Sequence, residues 1–582
     1  MSILASLVRA YDRLPEKPEY GYSSQNIHFC IVLDGQGNVV GDPVSWGVDK
    51  RGKPTGRRIN VPYFGGRSGS NAPPYFLWDN SAYVLGVSGK DNFDAEKRYA
   101  AFRDFHLHSL ENSHDEALTA LRRFLSAWTP SEFAARNYSE DILDRNIVFR
   151  LAHEQRFLHE RQASQDLWAQ IQSLDSAGEG ICLVTGTHSQ IARLHPPLAS
   201  FENPARIVSF DKDNDAFSSY GHVQAENAPT SVEAAFAYTT ALNRFLQRDS
   251  GHRIQIGDTS TVFWADAADR EIAALAVGSF WAMIADDSDA ALDAAETKKV
   301  ALVLERLRKG EQLESIDPEL ARGVRFFVLG LAPNAARIAI RFWFEDDFGV
   351  LAKNYQRFVD DMRIEPPWHR EAYPPLWRYL GETAVLGKRE NVPANLAGAW
   401  MSAILDGTAY PRTLLATVLS RIRADGQVNA LRVAMLKAVL VRNDRRRVPV
   451  ALDIDNRDKG YLLGRLFAVY EQAQTAALGR NVNATIKDKF YGSASATPRN
   501  VFAVLDRGSA NHLAKVGRDK PGLRVNLEKA IAAIMEAMAP DDDPFPASLS
   551  AAEQALFGLG YYHQRGEFFR KRDTAGTEEP AQ

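Results

Sequence analysis

The 582-residue sequence contains two cysteines, Cys30 and Cys182, far apart and each inside an apolar run, FCIVL and ICLV. A count this low excludes a disulfide framework, and no CxxC pair offers a zinc site. Both thiols read as buried, reduced strand residues, which fits the cytoplasm. Long hydrophobic runs are also missing. The longest uncharged apolar stretch, Ile272–Ala285, lies between Glu271 and Asp286 and is too short to cross a bilayer. No export-signal pattern opens the chain, because Arg9, Asp12 and Arg13 interrupt the first apolar segment. There is no Walker loop, so an ATP-driven motor has no support, and neither HExxH nor GxSxG occurs. Excess positive charge is absent too: 69 Lys and Arg stand against 73 Asp and Glu, a formal net charge of -4. Proteins that engage nucleic acid over much of their surface are usually basic, so such a surface here has to be a local patch.

What is present is an ordinary globular composition, 45% hydrophobic and 24% charged. The length predicts about two to four domains. Met1–Leu14 reads as an amphipathic helix. Ile27–Leu33 is a strand candidate with a return strand at Val39–Pro43, and Gly180–Thr185 and Ile207–Phe210 also read as strands. Helical spacing runs through Asp94–Phe105, Glu116–Ala127 and Ser231–Gln247, where Ser231 is placed to cap and Ala235, Tyr238, Leu242 and Phe245 share a face. Two hairpins are predicted, one around Gly257 and Asp258, the other joining Arg325–Leu331 to Arg337–Phe344 at Pro333 and Asn334. After about Glu345 strand signals vanish. Helices follow one another from Val350 to a last one capped by Ser550 and Glu553. The expected class is α+β: a mixed strand and helix region over residues 1–345, then an all-α helical bundle over 346–582.

Few acidic constellations suggest chemistry. His114 and Asp115 form a lone HD pair without an evident array of further ligands. Asp211, Asp213 and Asp215 imitate a calcium loop, but Ala216 stands where the turn wants Gly, and His222 where a bidentate Glu is needed. Asp541–Asp543 reads as a linker.

Three cationic segments remain as candidate DNA-binding sites. Lys50, Arg51, Lys53, Arg57 and Arg58 place five cations within nine residues of a basic loop over Lys50–Asn60, and Arg67 and Asn71 follow in the Gly-Ser-rich loop Tyr63–Pro74. Cationic loops suit phosphate contacts, and an Asn can bond base edges. The second segment is Asn334, Arg337 and Arg341, with both arginines on one strand face; pairing with carboxylates is the competing role. The third is Arg442, Arg445, Arg446 and Arg447, closing a helix that also carries Arg432 and Lys437. Cations at a helix C-terminus are favourable for dipole reasons alone, but a cluster of four exceeds that need.

Several long segments resemble one family, the large subunit of the type I-C CRISPR Cascade complex. They are IHFCIVLD, APPYFLWDNSAYVLG at Ala72–Gly86, the whole stretch Arg206–Ala265, FFVLGLAPNAARIAIRFW at Phe326–Trp343, GYLLGRLFAVYEQAQ at Gly460–Gln474, FYGSASATPRNVF at Phe490–Phe502 and LSAAEQALFGLGYYHQR at Leu549–Arg565. The resemblance implies a non-catalytic, cytoplasmic subunit of a crRNA-bound particle without membrane contact. Such a subunit recognises the protospacer-adjacent motif in double-stranded target DNA, aids R-loop formation and presents the target to a separate helicase-nuclease. No cofactor is implied. Partners would be crRNA, target DNA, the backbone, handle-binding and small subunits, and the helicase-nuclease, with phage anti-CRISPR proteins as further candidates. The N-terminal region would then recognise the motif and dock to the complex; Gly65–Asn71 is the candidate reader by its composition and location, not by a family motif. The family's gene also yields a separate helical small subunit from an internal start. Here residues from about 450 correspond to it, with Val450 where Met is expected and Met435 the nearest upstream alternative. The competing readings are a metal-dependent nuclease using His114 and Asp115, and a protein-binding scaffold that never touches DNA.

Overall fold

The computed structural model describes residues 2–15, 17–48, 53–63, 73–90, 94–173, 176–198, 201, 205–210, 221–222, 224–284, 294–334, 337–479, 484–538 and 543–569. The chain groups into two compact units, Met1–Gln247 with Asn334–Ile338, and Arg248–Pro333 with Ala339–Gln582. The class is α+β, as the residue pattern predicts. The change in secondary-structure content at Glu345 and the division into compact units fall at different places.

The first unit opens with helix α1 (Ile3–Asp12), which starts where Ser2 Oγ accepts the Ala5 amide at 3.2 Å. It continues through strands β1 (Tyr22–Ile27), β2 (Phe29–Leu33), β3 (Val44–Ser45), β4 (Arg57–Pro62) and β5 (Trp78–Asn80), and helices α2 (Ala95–Ser109) and α3 (Glu116–Ala127). Strand β6 (Asn146–Leu151), helix α4 (Gln162–Ser173), strands β7 (Ser176–Ile181) and β8 (His188–Ala192) and helix α5 (Val232–Phe245) complete it. One sheet has the order β3-β2-β6-β5, with β2 and β6 parallel from Phe29 opposite Ile147 to Leu33 opposite Leu151. Strand alternation sends Phe29, Ile31 and Leu33 into a core with Phe102 of α2, Leu121 and Phe124 of α3 and Trp168 of α4. Cys30 and Val148 face the other way, onto Ile27, Ile59, Val61 and Trp78. A sheet covered on both faces needs unbroken apolar strands, which is why FCIVL shows no polar alternation.

The cover on that second face is a two-stranded antiparallel ribbon of β1 and β4, with Asn26 opposite Arg58 and Ile27 opposite Arg57. The expected basic loop over Lys50–Asn60 is therefore a strand from Arg57 onward. Ile59 and Val61 alternate with exposed Arg58 and Asn60, and this apolar alternation is what docks it. The return strand expected at Val39–Pro43 reduces to a bridge from Val39 to Leu33, followed by the two-residue β3. The strand expected at Ile207–Phe210 is absent. A run this short needs a neighbour to satisfy its backbone, and none of the described strands pairs with it.

In the second unit, β9 (Arg253–Ile256) and β10 (Thr259–Asp266) form the expected hairpin, followed by helices α6 (Arg270–Ile284) and α7 (Ala294–Arg308) and strands β11 (Arg325–Asn334) and β12 (Arg337–Asp347). The sheet order is β12-β11-β10-β9. Then come α8 (Phe348–Met362), α9 (Leu376–Thr383), α10 (Ala394–Leu405), α11 (Arg412–Asp425), α12 (Ala430–Asn443), α13 (Lys459–Leu478), α14 (Ile486–Ala496), α15 (Pro498–Asp519), α16 (Pro521–Glu536) and α17 (Ala551–Phe569). Their starts follow the sequence signals. Asn429 caps α12, Asp458 caps α13, and Ser550 and Glu553 form the predicted capping box before α17. Helices α13 and α17 meet backbone to backbone. A Cβ at Gly464 would lie 2.0 Å from the Phe557 carbonyl oxygen, and one at Gly560 2.0 Å from that of Tyr461. Only glycine permits that approach.

Candidate nucleic-acid interface

The β1–β4 ribbon organises the first cationic patch. Its inward side chains are fixed in the core, so the outward ones keep a defined position. Arg57 and Arg58 are exposed, and Arg58 Nη1 donates to the Ser24 carbonyl at 3.3 Å across the ribbon. The loop that feeds β4 is closed by a bridge between Val48 and Pro54 and by the Thr55 amide donating to the Gly47 carbonyl at 2.9 Å, with Lys53 exposed beside it. Lys50 and Arg51 lie outside the described residues, as do Arg67 and Asn71.

The segment carrying Arg67 and Asn71 leaves the far end of β4. A six-residue strand spans roughly 20 Å, and the two cationic segments of the sequence flank it on either side. The residues flanking the second loop are clamped together. Tyr63 lies against Tyr75 with ring centres 5.4 Å apart, and Tyr75 stacks on Trp78 at 4.6 Å and 2°. Trp78 Nε1 donates to the Pro62 carbonyl at 2.7 Å, and Asp79 Oδ2 accepts the Tyr75 amide at 3.0 Å. Sequence reasoning missed this clamp. Its signal was the aromatic spacing in YFGG and PPYFLWD, which brackets the Gly-Ser loop.

The second patch divides. Asn334 and Arg337 are exposed at the ends of β11 and β12, and Arg337 has no partner among the described residues. Arg341, further along the same strand, pairs with Asp258 at 3.2 Å, the competing role for such an arginine.

In the third patch one expectation is wrong. Arg442 is not a surface cation. Its side chain is 1% exposed, it pairs with Asp361 at 2.6 Å, and it lies over the Tyr410 ring at 4.3 Å. The Tyr410 hydroxyl donates to Asp361 Oδ2 at 2.9 Å, and Lys437 Nζ donates to the Asp361 carbonyl at 2.9 Å. Burial pushes the Asp361 carboxyl up, against the opposing pull of Arg442. Arg432 is likewise buried, paired with Asp425 at 2.6 Å and Glu382 at 2.8 Å. Arg445, Arg446 and Arg447, past the end of α12, are exposed. Arg446 approaches Asp458 at 3.6 Å, while Arg445 and Arg447 have no charged partner among the described residues.

The acidic alternatives find little geometry. Asp115 caps α3 through the Ala117 and Leu118 amides at 2.9 and 3.2 Å, and its other oxygen holds Arg161 at 2.7 Å. Among the described residues no three His, Cys, Asp or Glu side chains converge as metal ligands. Asp543 is ion-paired with Arg499. Asp211, Asp213 and Asp215 lie outside the described residues.

The family model described as CRISPR-associated protein (Cas_Csd1) matches residues 7–569. The chain belongs to that family. It is a CRISPR-associated, Cascade-type protein. No curated protein matches it. The matched span runs from within α1 to the last residue of α17, so both units and all three cationic segments of this Cas_Csd1 member fall inside it. No helix among the described residues is long and apolar enough to cross a membrane.

Proposed function

We propose that this protein is the non-catalytic large subunit of a type I-C Cascade particle, where it binds duplex DNA at the protospacer-adjacent motif. In this reading guide pairing supplies sequence specificity, while the protein reads the short motif and the backbone. The observation that carries the reading is the β1–β4 ribbon: a strand docked on the core with Arg57 and Arg58 exposed, in a chain that belongs, nearly end to end, to a CRISPR-associated family. Arg57, Arg58 and the Lys50–Lys53 loop take phosphates. The 64–72 loop, held at its base by Tyr63, Tyr75 and Trp78, enters the groove with Asn71 as the base-contacting side chain. Arg337 and Arg445–Arg447 bind further phosphates. Opening of the duplex at the motif then allows R-loop growth, and a separate helicase-nuclease acts on the product. Partners are crRNA, the backbone, handle-binding and small subunits, and that nuclease. An internal start near Val450 or Met435 would supply helices α13 to α17 as the small subunit.

Replacing Lys50, Arg51, Lys53, Arg57 and Arg58 with Gln tests the ribbon. Duplex affinity is expected to fall for every motif variant, and the slope of log K against log salt to shrink by roughly 0.9 for each phosphate no longer neutralised. Asn71→Ala is expected to change motif preference instead. Parent affinity that is indifferent to salt would remove the nucleic-acid reading altogether.

A further inference from the structure

In an extended segment side chains alternate, so residues two apart share a face and residues three apart do not. Tyr75 and Trp78 break that rule. Both lie with Ile27, Ile59 and Val61 under the ribbon, while Phe76 and Leu77 between them enter the opposite core with Phe102, Leu121 and Trp168. The break occurs at Leu77, whose φ is +62°. That left-handed conformation suits glycine and is strained for a branched side chain, here wholly buried. With ordinary alternation Tyr75 and Trp78 would point to opposite faces. Their ring stack at 4.6 Å, with Tyr63 against Tyr75, depends on the kink.

One side chain is in position to hold it. The Leu77 amide donates to Nε2 of His106, on α2, at 2.9 Å. Nε2 is therefore the bare nitrogen of the ring, and Nδ1 carries the proton and donates to the Phe102 carbonyl at 2.8 Å. Other rings close round the imidazole. Phe76 stacks on it at 5.7 Å and 3°, Phe102 lies at 4.0 Å, and Phe105 meets it edge-on at 5.1 Å. Burial keeps the ring neutral down to about 4, against the opposing pull of the Phe102 carbonyl. His106 thus spends one nitrogen on its own helix and the other on the strained residue. A buried amide left without an acceptor is costly, so losing Nε2 would remove the bond that makes a left-handed Leu77 tolerable. We propose that His106 is a positioning residue for motif recognition: by accepting the Leu77 amide it holds the kink that turns Tyr75 and Trp78 to the same side, and so fixes the described residues on which the 64–72 segment is mounted. The role in recognition rests on the motif reading above; the hold on the kink does not.

The test uses the full chain and two readouts. Hydrogen–deuterium exchange of peptides spanning Phe76–Asn80 reads the kink. Binding to a pool of DNA duplexes randomised over a few base pairs, with the bound fraction sequenced, reads motif preference. His106→Leu keeps apolar bulk without an acceptor, and His106→Asn keeps a donor for the Phe102 carbonyl but is too short to reach Leu77, so the comparison survives if either variant fails to fold. Each is expected to speed exchange at Leu77 by up to roughly tenfold, the worth of one hydrogen bond, with protection of α2 unchanged. Each should also flatten the sequence preference while total duplex affinity stays within about twofold. His106→Gln, whose amide oxygen can reach the Leu77 amide, is expected to restore both. Phe124→Leu, in the same core but away from the kink, should leave the preference as it is. Unchanged exchange at Phe76–Asn80, no rescue by Gln, or an equal loss of preference in Phe124→Leu would overturn the positioning role and leave the motif reading standing. A parent without sequence preference would overturn the motif reading and the part of His106 in it, and exchange would still decide whether His106 holds the kink.

Discussion

Arg442 offers the sharpest test of how charge is used in this chain, because it sits in sequence beside three arginines with a different fate. Arg442 and Asp361 are 1% and 7% exposed in their side chains and 2.6 Å apart. Removing one partner of a buried pair leaves the other desolvated and costs about 3–5 kcal/mol. At about 2 °C per kcal/mol for a large unit, Arg442→Ala is expected to lower the melting temperature by roughly 6–10 °C. The combined change of Arg445, Arg446 and Arg447 to Ala removes exposed cations, each within about 0.5 kcal/mol of neutral, so the melt barely moves while duplex affinity drops. Changing both buried partners, Arg442→Met with Asp361→Leu, is expected to recover most of the lost stability, because the costly state is the half-pair rather than the absence of the pair. The pH dependence has a definite sign. Without Arg442, burial pushes the Asp361 carboxyl up against only the Tyr410 hydrogen bond and the Lys437 charge, so it rises further and the folded variant favours the protonated form more than the parent does. That contribution is present at low pH and is lost as pH rises through the raised pKa, so Arg442→Ala should be hurt less at pH 5 than at pH 8. Differential scanning fluorimetry of the four proteins at pH 5 and pH 8 reads the melts, and duplex binding by anisotropy reads the affinity. An Arg442→Ala melt within about 2 °C of the parent, or a double variant no better than the single, would refute the burial argument.

Acid should weaken the fold in a window belonging to histidine. Burial holds His106, His159, His195 and His563 down at about 4. The unfolded chain takes their protons first, so stability is full above pH 6.5 and is lost as pH falls toward 4. The wholly buried His106 and His159 each contribute up to about 3 kcal/mol of that loss. A urea midpoint unchanged between pH 7.5 and 5 would count against it, and His159→Phe should flatten the dependence. At the α13–α17 crossing, Gly464→Ala is expected to cost about 1–3 kcal/mol, because backbone has to move. Gly508→Ala, with nothing within 4 Å of the new Cβ, is expected to stabilise α15 by about 0.5–1 kcal/mol; equal melts for these two variants would remove the close-approach argument. Tyr63→Ala should leave the fold intact and blunt discrimination between motif sequences, measured as a ratio of duplex affinities. A ratio equal to the parent's would mean that the aromatic clamp does not position the loop.

Helices were the legible part of the fold. Their signals are local: Ser231 before α5, Asn429 before α12 and the Ser550–Glu553 pair before α17 each act on amides a few residues away. Strands were legible in the wholly apolar run of β2, and where two of them are neighbours in sequence, as at β9–β10 and β11–β12. β6 pairs with β2, more than a hundred residues earlier in the chain, and β4 hides its alternation behind three preceding cations and two more at its own start, so neither could be recognised without its partner. Ile207–Phe210 shows the reverse error, strand composition without a strand to pair with among the described residues.

Arg442 carried a readable warning. The segment ALRVAMLKAVLVR of α12 is apolar nearly all round, which predicts a helix buried on every side. Charged residues inside such a helix cannot face water, so Arg432, Lys437 and Arg442 had to be answered by internal oxygens, and they are, by Asp425 and Glu382, the carbonyls of Asp360 and Asp361, and the Asp361 carboxylate. The helix ends at Asn443 and the burial ends with it, so Arg445, Arg446 and Arg447 are released to solvent two residues later. The same principle explains why the net charge of -4 says little about partners. Cations spent inside the core are cancelled where they stand. What solvent meets is the remainder, which includes Arg57 and Arg58 on the outer side of the β1–β4 ribbon, Arg337, and Arg445, Arg446 and Arg447 past the end of α12.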